Sequence, residues 1–284
     1  MMPATAMDWD REFIFTDKDF KVLSELVYRH TGISLSPAKK ELVYSRLTRR
    51  LRKLYLRTFK SYCQLLKSDS SGEELVHFIN AVTTNLTSFF RESHHFDFLC
   101  KKWLPELAAH KPKPSRLRLW SAGCSTGEEP YSIAMCIKET FPIHNDFDIK
   151  ILATDLDSSV LEKAISGIYS WDKISTIMPH RQKKWFNKGS SLNSGFVQVK
   201  PELQKLITFR QLNLMHEWPM NGPFEGIFCR NVIIYFDKAT QKILIDRFAN
   251  ILATGGYLFL GHSESLFKVS NRFKLVGQTI YQKL

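Results

Sequence analysis

Residues 116–134 read Arg-Leu-Arg-Leu-Trp-Ser-Ala-Gly-Cys-Ser-Thr-Gly-Glu-Glu-Pro-Tyr-Ser-Ile-Ala. An apolar strand (Leu117–Trp120) runs into a glycine loop (Gly123–Gly127), and a helix with its apolar residues from Tyr131 follows. Open α/β sheets hold nucleotide-like ligands at such a junction, because the loop backbone can approach the ligand and the helix N-terminus faces it. Glu128 and Glu129 stand where a dinucleotide or triphosphate site would offer bare N–H groups to phosphate. Two carboxylates suit a ligand with positive charge and no phosphate, and S-adenosylmethionine is such a ligand. Two plainer readings compete: the glycines as an ordinary strand-to-helix turn, and the glutamates as complements of the helix dipole.

The residues downstream favour the ligand. Strands are expected at Ile149–Ala153, Leu206–Phe209, Gly226–Cys229 and Tyr257–Leu260, helices at Ser158–Ile165 and Thr240–Leu252, and a hairpin at Phe273–Lys283. This alternation predicts a Rossmann-like α/β fold, a mostly parallel sheet covered on both faces. Asp155 ends the second strand, where a carboxylate can accept both ribose hydroxyls of an adenosine. The apolar strand in Phe-Cys-Arg-Asn-Val-Ile-Ile-Tyr-Phe (228–236) delivers Arg230, Asn231 and Tyr235 to another carboxyl end. Buried polar groups there need partners, either a ligand or the cap of the next helix. Enzymes that methylate exocyclic amines carry a [DNS]-P-P-[YFW] box at this place, and this chain has no proline pair there. Residues 167–202 break the alternation with Trp171, Trp185, Phe186, a Ser/Gly/Asn-rich stretch and Phe196-Val-Gln-Val199. They read as an inserted subdomain with a short helix and a small antiparallel β-sheet.

Upstream the pattern is helical. After a flexible N-terminus (1–15), residues 16–110 read as an all-α domain, joined by the linker 111–115 to the α/β domain 116–284. Thr16 and Asp17 can cap a first helix that Thr31-Gly32 ends. A second helix, Pro37 to Tyr55, carries Leu42, Val43, Leu47, Leu51 and Leu54 on one stripe and Arg46, Arg49, Arg50, Lys53 and Arg57 beside it. Shorter helices are expected near 58–67, 72–84 and 93–108. The formal net charge is +12, and ten basic residues against one acid lie between Lys39 and Lys67, which points to a local docking surface for an acidic partner. Thr-Thr-Asn-Leu-Thr-Ser-Phe-Phe-Arg-Glu (83–92) reads either as a polar turn with Thr87 or Ser88 capping a helix, or as a lid from the helical domain over the ligand. Five scattered cysteines, no signal sequence and no apolar run of membrane-spanning length predict a cytoplasmic protein without membrane insertion. No metal is expected, since neighbours such as His94 and His95 diverge by about 100° on a helix. No heptad seam appears, so a monomer is expected.

Together these stretches resemble the chemotaxis receptor methyltransferases, the CheR family. T-T-N-L-T-S-F-F-R-E, S-A-G-C-S-T-G-E-E-P-Y-S, A-T-D-L-D, F-C-R-N-V-I-I-Y-F-D and G-H-S-E-S occur in order over residues 16–282. The resemblance implies transfer of a methyl group from S-adenosylmethionine to glutamate side chains on the cytoplasmic helices of chemoreceptors, leaving S-adenosylhomocysteine. It implies that Asn85, Thr87 and Arg91 line the cofactor and substrate entrance, Glu129 meets the cofactor's amino end and Asp155 its ribose. Asn213 and Leu214 would flank the adenine, Arg230 and Asn231 complete the wall, and Tyr235 lie near the transferred methyl. Arg91 and Tyr235 are the candidates for orienting the incoming carboxylate. Arg46, Arg49, Arg50 and Lys53 would dock the acidic receptor helices, and the insert could tether a peptide from the receptor's C-terminus. The rival is an RNA or other protein methyltransferase using the basic helix on a different substrate. The missing proline box and the lack of an aromatic platform weigh against a nucleic acid.

Overall fold

The computed structural model describes residues 11–110, 115–141, 147–190 and 194–284. Most of the expected N-terminal extension and linker, and part of the Ser/Gly/Asn-rich stretch, lie outside those residues. The chain forms two compact units, Met1–Thr83 and Thr84–Leu284.

The first unit is helical. Thr16 and Asp19 form a reciprocal capping box on the helix Asp17–Thr31, and Gly32 ends it with φ 74°. Pro37–Lys39 is a 3₁₀ turn leading into the helix Lys40–Lys53, so the helix expected from Pro37 to Tyr55 is shorter at both ends. Proline has no N–H to continue a helix inward from 37, and Tyr55 has left-handed backbone (φ 54°). Helices Phe59–Ser68 and Glu73–Val82 complete the unit around Leu23, Val27, Val43, Leu47, Leu51, Phe59, Tyr62 and Phe78, all fully buried.

The second unit holds the sheet. Its strands are β1 (Ser115–Ala122), β2 (Phe147–Asp155), β3 (Ile168–Ser170), β4 (Phe186–Lys188), β5 (Phe196–Val199), β6 (Ile207–Gln211), β7 (Phe224–Cys229), β8 (Leu252–Leu260), β9 (Phe273–Gly277) and β10 (Ile280–Lys283). Seven form one sheet in the order β6-β2-β1-β7-β8-β10-β9. The first five of that order pair in parallel, and β10 is antiparallel to both β8 and β9. The chain leaves β1 toward β2 on one side and later returns to β7 on the other. The crevice of such a sheet opens at the carboxyl ends beside that switch point. As expected, β3, β5 and β4 make a separate antiparallel sheet, with helices Trp171–Ile174 and Pro179–Trp185 beside it in the sequence.

The division at Thr83/Thr84 differs from the expected linker at 111–115. Residues 93–110 run as α-helix Ser93–Phe98, a π-helical turn Leu99–Trp103 and α-helix Leu104–His110. Phe96, Leu99, Trp103 and Leu104 are buried in one core with Leu119, Phe228 and Phe259 of the sheet. The approach is close: a Cβ on Gly226 of β7 would lie 2.9 Å from Trp103 Cζ3. An apolar face packed on a sheet belongs to that sheet's unit, whatever its position relative to a proline-rich stretch.

Candidate functional site

The loop after β1 is held by backbone donors. Gly123 and Cys124 donate to Thr154 O at 2.8 and 2.9 Å, and Ser125 N donates to Asp155 Oδ2 at 2.7 Å. Gly123 and Gly127 have φ of 91° and 95°, and the Val232 side chain fills the place a Cβ on Gly123 would take. Asp155, at the end of β2, also accepts Asp157 N at 3.0 Å. Burial pushes its carboxyl up to about 6. Leu156 N also bonds it, and since a carboxylate has about four acceptor positions, some acceptor capacity remains beyond these backbone bonds.

The two glutamates of the opening motif have different partners. Glu129 is buried, accepts Ser121 Oγ at 2.7 Å and pairs with Arg230 Nη1 at 3.0 Å. Burial pushes its carboxyl up, with Arg230 pulling against it. Glu128, with a fully buried side chain, accepts Thr126 Oγ1 at 2.6 Å and pairs with Lys173 Nζ at 3.3 Å. Lys173 comes from the insert and donates also to Thr87 O at 3.3 Å.

The segment after Thr84 is part of this unit, not a lid from the helical one. Asn85 Nδ2 donates to Asp157 Oδ2 at 2.8 Å, and Asn85 O accepts Ser125 Oγ at 2.9 Å. Phe90 N donates to Ser132 Oγ at 3.0 Å, and Arg91 Nη1 to Leu86 O at 2.8 Å. Neither Thr87 nor Ser88 caps the following helix; it starts at Ser93 after Glu92, whose φ is 56°. Arg91 and Thr87 are half-buried beside the loop.

At the end of β7, Arg230 is buried and reaches Glu129, Glu92 (3.2 Å) and the Arg91 carbonyl. Asn231 has φ 58°, and Tyr235 is half-buried at the end of the 3₁₀ turn Ile233–Tyr235. Asp237, rather than Arg230 or Asn231, caps the next helix, Lys238–Ile251, through its bond from Thr240 N. The capping explanation for the polar pair therefore fails. After β6, Asn213 Oδ1 accepts Met215 N at 2.9 Å, and Leu214 is buried.

Glu92 was not foreseen as a hub. It accepts His262 Nδ1 at 2.8 Å and pairs with Arg230. Burial opposes its charge, but His262 and Arg230 outweigh that and hold its carboxyl down at about 2. Burial, with Arg230 adding, pushes the His95 imidazole down to about 3. The His94 and His95 rings do not diverge as neighbours on a regular helix would: their centroids are 4.1 Å apart, near the helix start. With Glu92 they bring three ligand-type atoms within 4.8 Å of one another. The Arg230 guanidinium at the same carboxylate opposes a cation there.

In the helical unit, two of the four basic residues assigned to docking are used internally. Arg46 Nη1 donates to Val82 O (2.8 Å) and Thr83 O (2.6 Å). Arg50 makes a two-pronged pair with Glu74, which Tyr62 OH also reaches at 2.8 Å. Arg49, Lys53 and Arg57 are exposed, so only part of the expected cationic stripe faces solvent unpaired with Val82, Thr83 or Glu74.

The sequence alone does not reveal Lys173 and Glu92, because their roles depend on partners far along the chain. One further regularity marks the site. Seven non-glycine residues have positive φ among the described residues, and Phe90, Glu92, Ser125 and Asn231 fall in three of the quoted motifs. Such backbone costs about 1–3 kcal/mol per residue and persists where the surroundings over-determine it, often at functional sites.

The same division of the chain appears in comparison with known families. The family profile "CheR methyltransferase, SAM binding domain" matches residues 85–282, and "CheR methyltransferase, all-alpha domain" matches residues 18–83. The chain is 44% identical over 268 residues to a chemotaxis protein methyltransferase of Klebsiella aerogenes, covering 94% of this chain and 89% of that one. It is 44% identical over 275 residues to chemotaxis protein methyltransferase 2 of Pseudomonas aeruginosa, covering 96% and 95%. It is also 44% identical over 268 residues to a chemotaxis protein methyltransferase of Escherichia coli, covering 94% and 91%.

Proposed function

The chain belongs to the CheR methyltransferase family, and on that premise we propose that it methylates glutamate side chains on the cytoplasmic helices of chemoreceptors. The products are glutamate 5-O-methyl esters and S-adenosylhomocysteine. S-adenosylmethionine is the methyl donor. When bound, it supplies an electrophilic methyl group on a sulfonium centre.

The residues fit that donor. Asp155 keeps acceptor capacity for the ribose beyond its backbone donors, and Arg230 Nε is buried without a hydrogen-bond partner among the described residues, as a ligand carboxylate would require. The observation that carries the reading is the meeting of Asp155, the Glu129–Arg230 pair and the Asn85–Arg91 segment at the carboxyl ends of β1, β2 and β7. Glu129 is assigned to the amino end, and Asn85, Thr87, Asn213, Leu214 and Asn231 to the cofactor wall.

A receptor glutamate is ionised near pH 7, so its oxygen needs no general base to act as nucleophile. The chain's task is alignment. Arg91 offers a planar fork to the incoming carboxylate, and Tyr235 a hydroxyl beside the transfer path. Arg49 and Lys53 form the docking face for acidic receptor helices. The β3-β5-β4 sheet has two outer strands, either of which offers an edge for a receptor C-terminal peptide to join as an added strand. The reaction takes place in the cytoplasm, where those receptor helices lie. No helix among the described residues is long and apolar enough to cross a membrane.

The test is incubation with methyl-labelled S-adenosylmethionine and receptor-bearing membranes, followed by mild alkali. Volatile methanol marks methyl esters. Alkali-stable label would mean N-methylation, and no label would mean a cofactor sensor.

A further inference from the structure

The G-H-S-E-S stretch has no part in the mechanism above, yet it holds a carboxylate that is only 4% exposed, Glu264. That carboxylate faces backbone donors. Glu264 Oε2 accepts Gly261 N at 2.5 Å and Asn231 N at 2.9 Å, and Oε1 accepts Ile234 N at 3.2 Å. Backbone N–H groups that converge on one point make an anion-binding concavity, and here they converge from two segments, 231–234 and Gly261. Here the anion is the protein's own side chain.

We propose that Glu264 is a positioning residue for methyl transfer, its carboxylate filling the concavity after β7 and fixing the turn that carries Arg230, Asn231 and Tyr235. Three observations support this. Asn231 has left-handed backbone, open to asparagine but not to most residues, so the turn there has one defined shape to hold. Its amide is one of the donors that Glu264 collects, and Ile234 N, next to Tyr235, is another. Gly261 lets the two backbones close up: a Cβ there would lie 2.8 Å from Asn231 N. Without the carboxylate, buried N–H groups lose their acceptor and the turn loses what holds its φ. Arg230 would lose its fixed approach to Glu129, and Tyr235 its place. This rests on the methyltransferase reading only for the reaction served; the clamp on the turn is geometry.

The test compares Glu264→Gln, Glu264→Asp and Gly261→Ala with the full-length parent. Glutamine keeps the shape but sets an N–H₂ donor against N–H donors. The expected results for Glu264→Gln are kcat at least tenfold lower, receptor KM within about twofold, and faster amide hydrogen exchange at residues 231–234. Gly261→Ala should reproduce both effects. Glu264→Asp, which restores the charge on a shorter arm, should recover part of kcat. The proposal is overturned if Glu264→Gln keeps parental kcat, or if activity falls only with the folded fraction while residues 231–234 stay protected. If the parent itself transfers no methyl to receptors, the functional reading fails. Amide exchange at 231–234 then decides Glu264 alone: acceleration in the variant supports the clamp, and no change overturns it.

Discussion

Replacing Arg50 and replacing Arg49 should have opposite consequences, although the two are neighbours on one basic helix. The Arg50 side chain is 14% exposed and its partner Glu74 9%. Removing one member of a buried ion pair costs about 3–5 kcal/mol, because the other charge is left unpaired. Tyr62 OH stays on Glu74, and the residual exposure admits water, so the low end, about 3 kcal/mol, applies to Arg50→Ala. In a unit of this size 1 kcal/mol shifts Tm by about 4–8 °C, so its transition should fall by about 12–24 °C. Arg49→Glu with Lys53→Glu alters only exposed side chains and should leave stability within about 0.5 kcal/mol for each. Each reversal removes an attraction and adds a repulsion at the proposed interface, roughly 1–1.5 kcal/mol for each residue, hence about 30–150-fold in receptor KM for the pair. The increase should shrink at high salt, and kcat should stay. Thermal unfolding followed by circular dichroism, with initial rates against receptor concentration at two salt levels, reads both. An unchanged Tm in Arg50→Ala would refute the structural role. An unchanged KM in the double reversal would refute the docking face.

Cofactor affinity should depend on pH through Asp155, whose carboxyl is pushed up to about 6. Ribose hydroxyls bond the ionised form, so titration calorimetry with S-adenosylhomocysteine should show affinity falling by up to about tenfold per unit below pH 6, and Asp155→Asn should be weak and flat. For stability the sign is opposite: the raised folded-state value favours the fold below the unfolded carboxyl's range, and that contribution is lost as pH rises through about 6. Lys173→Ala frees the Glu128 carboxylate and Thr87 O, and should raise the KM for S-adenosylmethionine several-fold while the β3-β5-β4 sheet stays folded by circular dichroism. Arg91→Ala should lower kcat at saturating cofactor and receptor by at least tenfold, and Tyr235→Phe by less; parental kcat in Arg91→Ala removes it from the reaction.

Local features were legible in the sequence. The capping box at Thr16, the stop at Gly32 and the strand positions follow from spacing and turn chemistry, which act over a few residues. The positions of Asp155, Arg230 and Asn231 at strand ends were legible for the same reason: an apolar run names its own carboxyl end. The boundary was not. Pro112 and Pro114 mark a break in local pattern, but the unit to which residues 84–110 belong is decided by the burial of Phe96, Leu99 and Trp103 against strands later in the chain. The uses of Arg46, Arg50 and Lys173 were hidden likewise. A cation on a helix reads the same whether its partner is solvent, a receptor or Glu74, and only the fold supplies the partner.

The fold also changes what the acidic loop means. Glu128 and Glu129 suggested a phosphate-free ligand by repulsion, yet Lys173 and Arg230 pair with them. The exclusion of phosphate has a second source. Phosphate sites after a first strand work by presenting unpaired loop N–H groups. Here Gly123 N and Cys124 N are taken by Thr154 O, Ser125 N by Asp155, and Gly127 N by Cys124 O. At the end of β7, Glu264 takes Asn231 N and Ile234 N. Four loop donors after β1 and two after β7 are thus occupied from within, by the Thr154 and Cys124 carbonyls and by the carboxylates of Asp155 and Glu264. What remains for a ligand is acceptor capacity on Asp155 and a guanidinium edge on Arg230. That inventory matches hydroxyls and a single carboxylate, the polar ends of an amino-acid nucleoside.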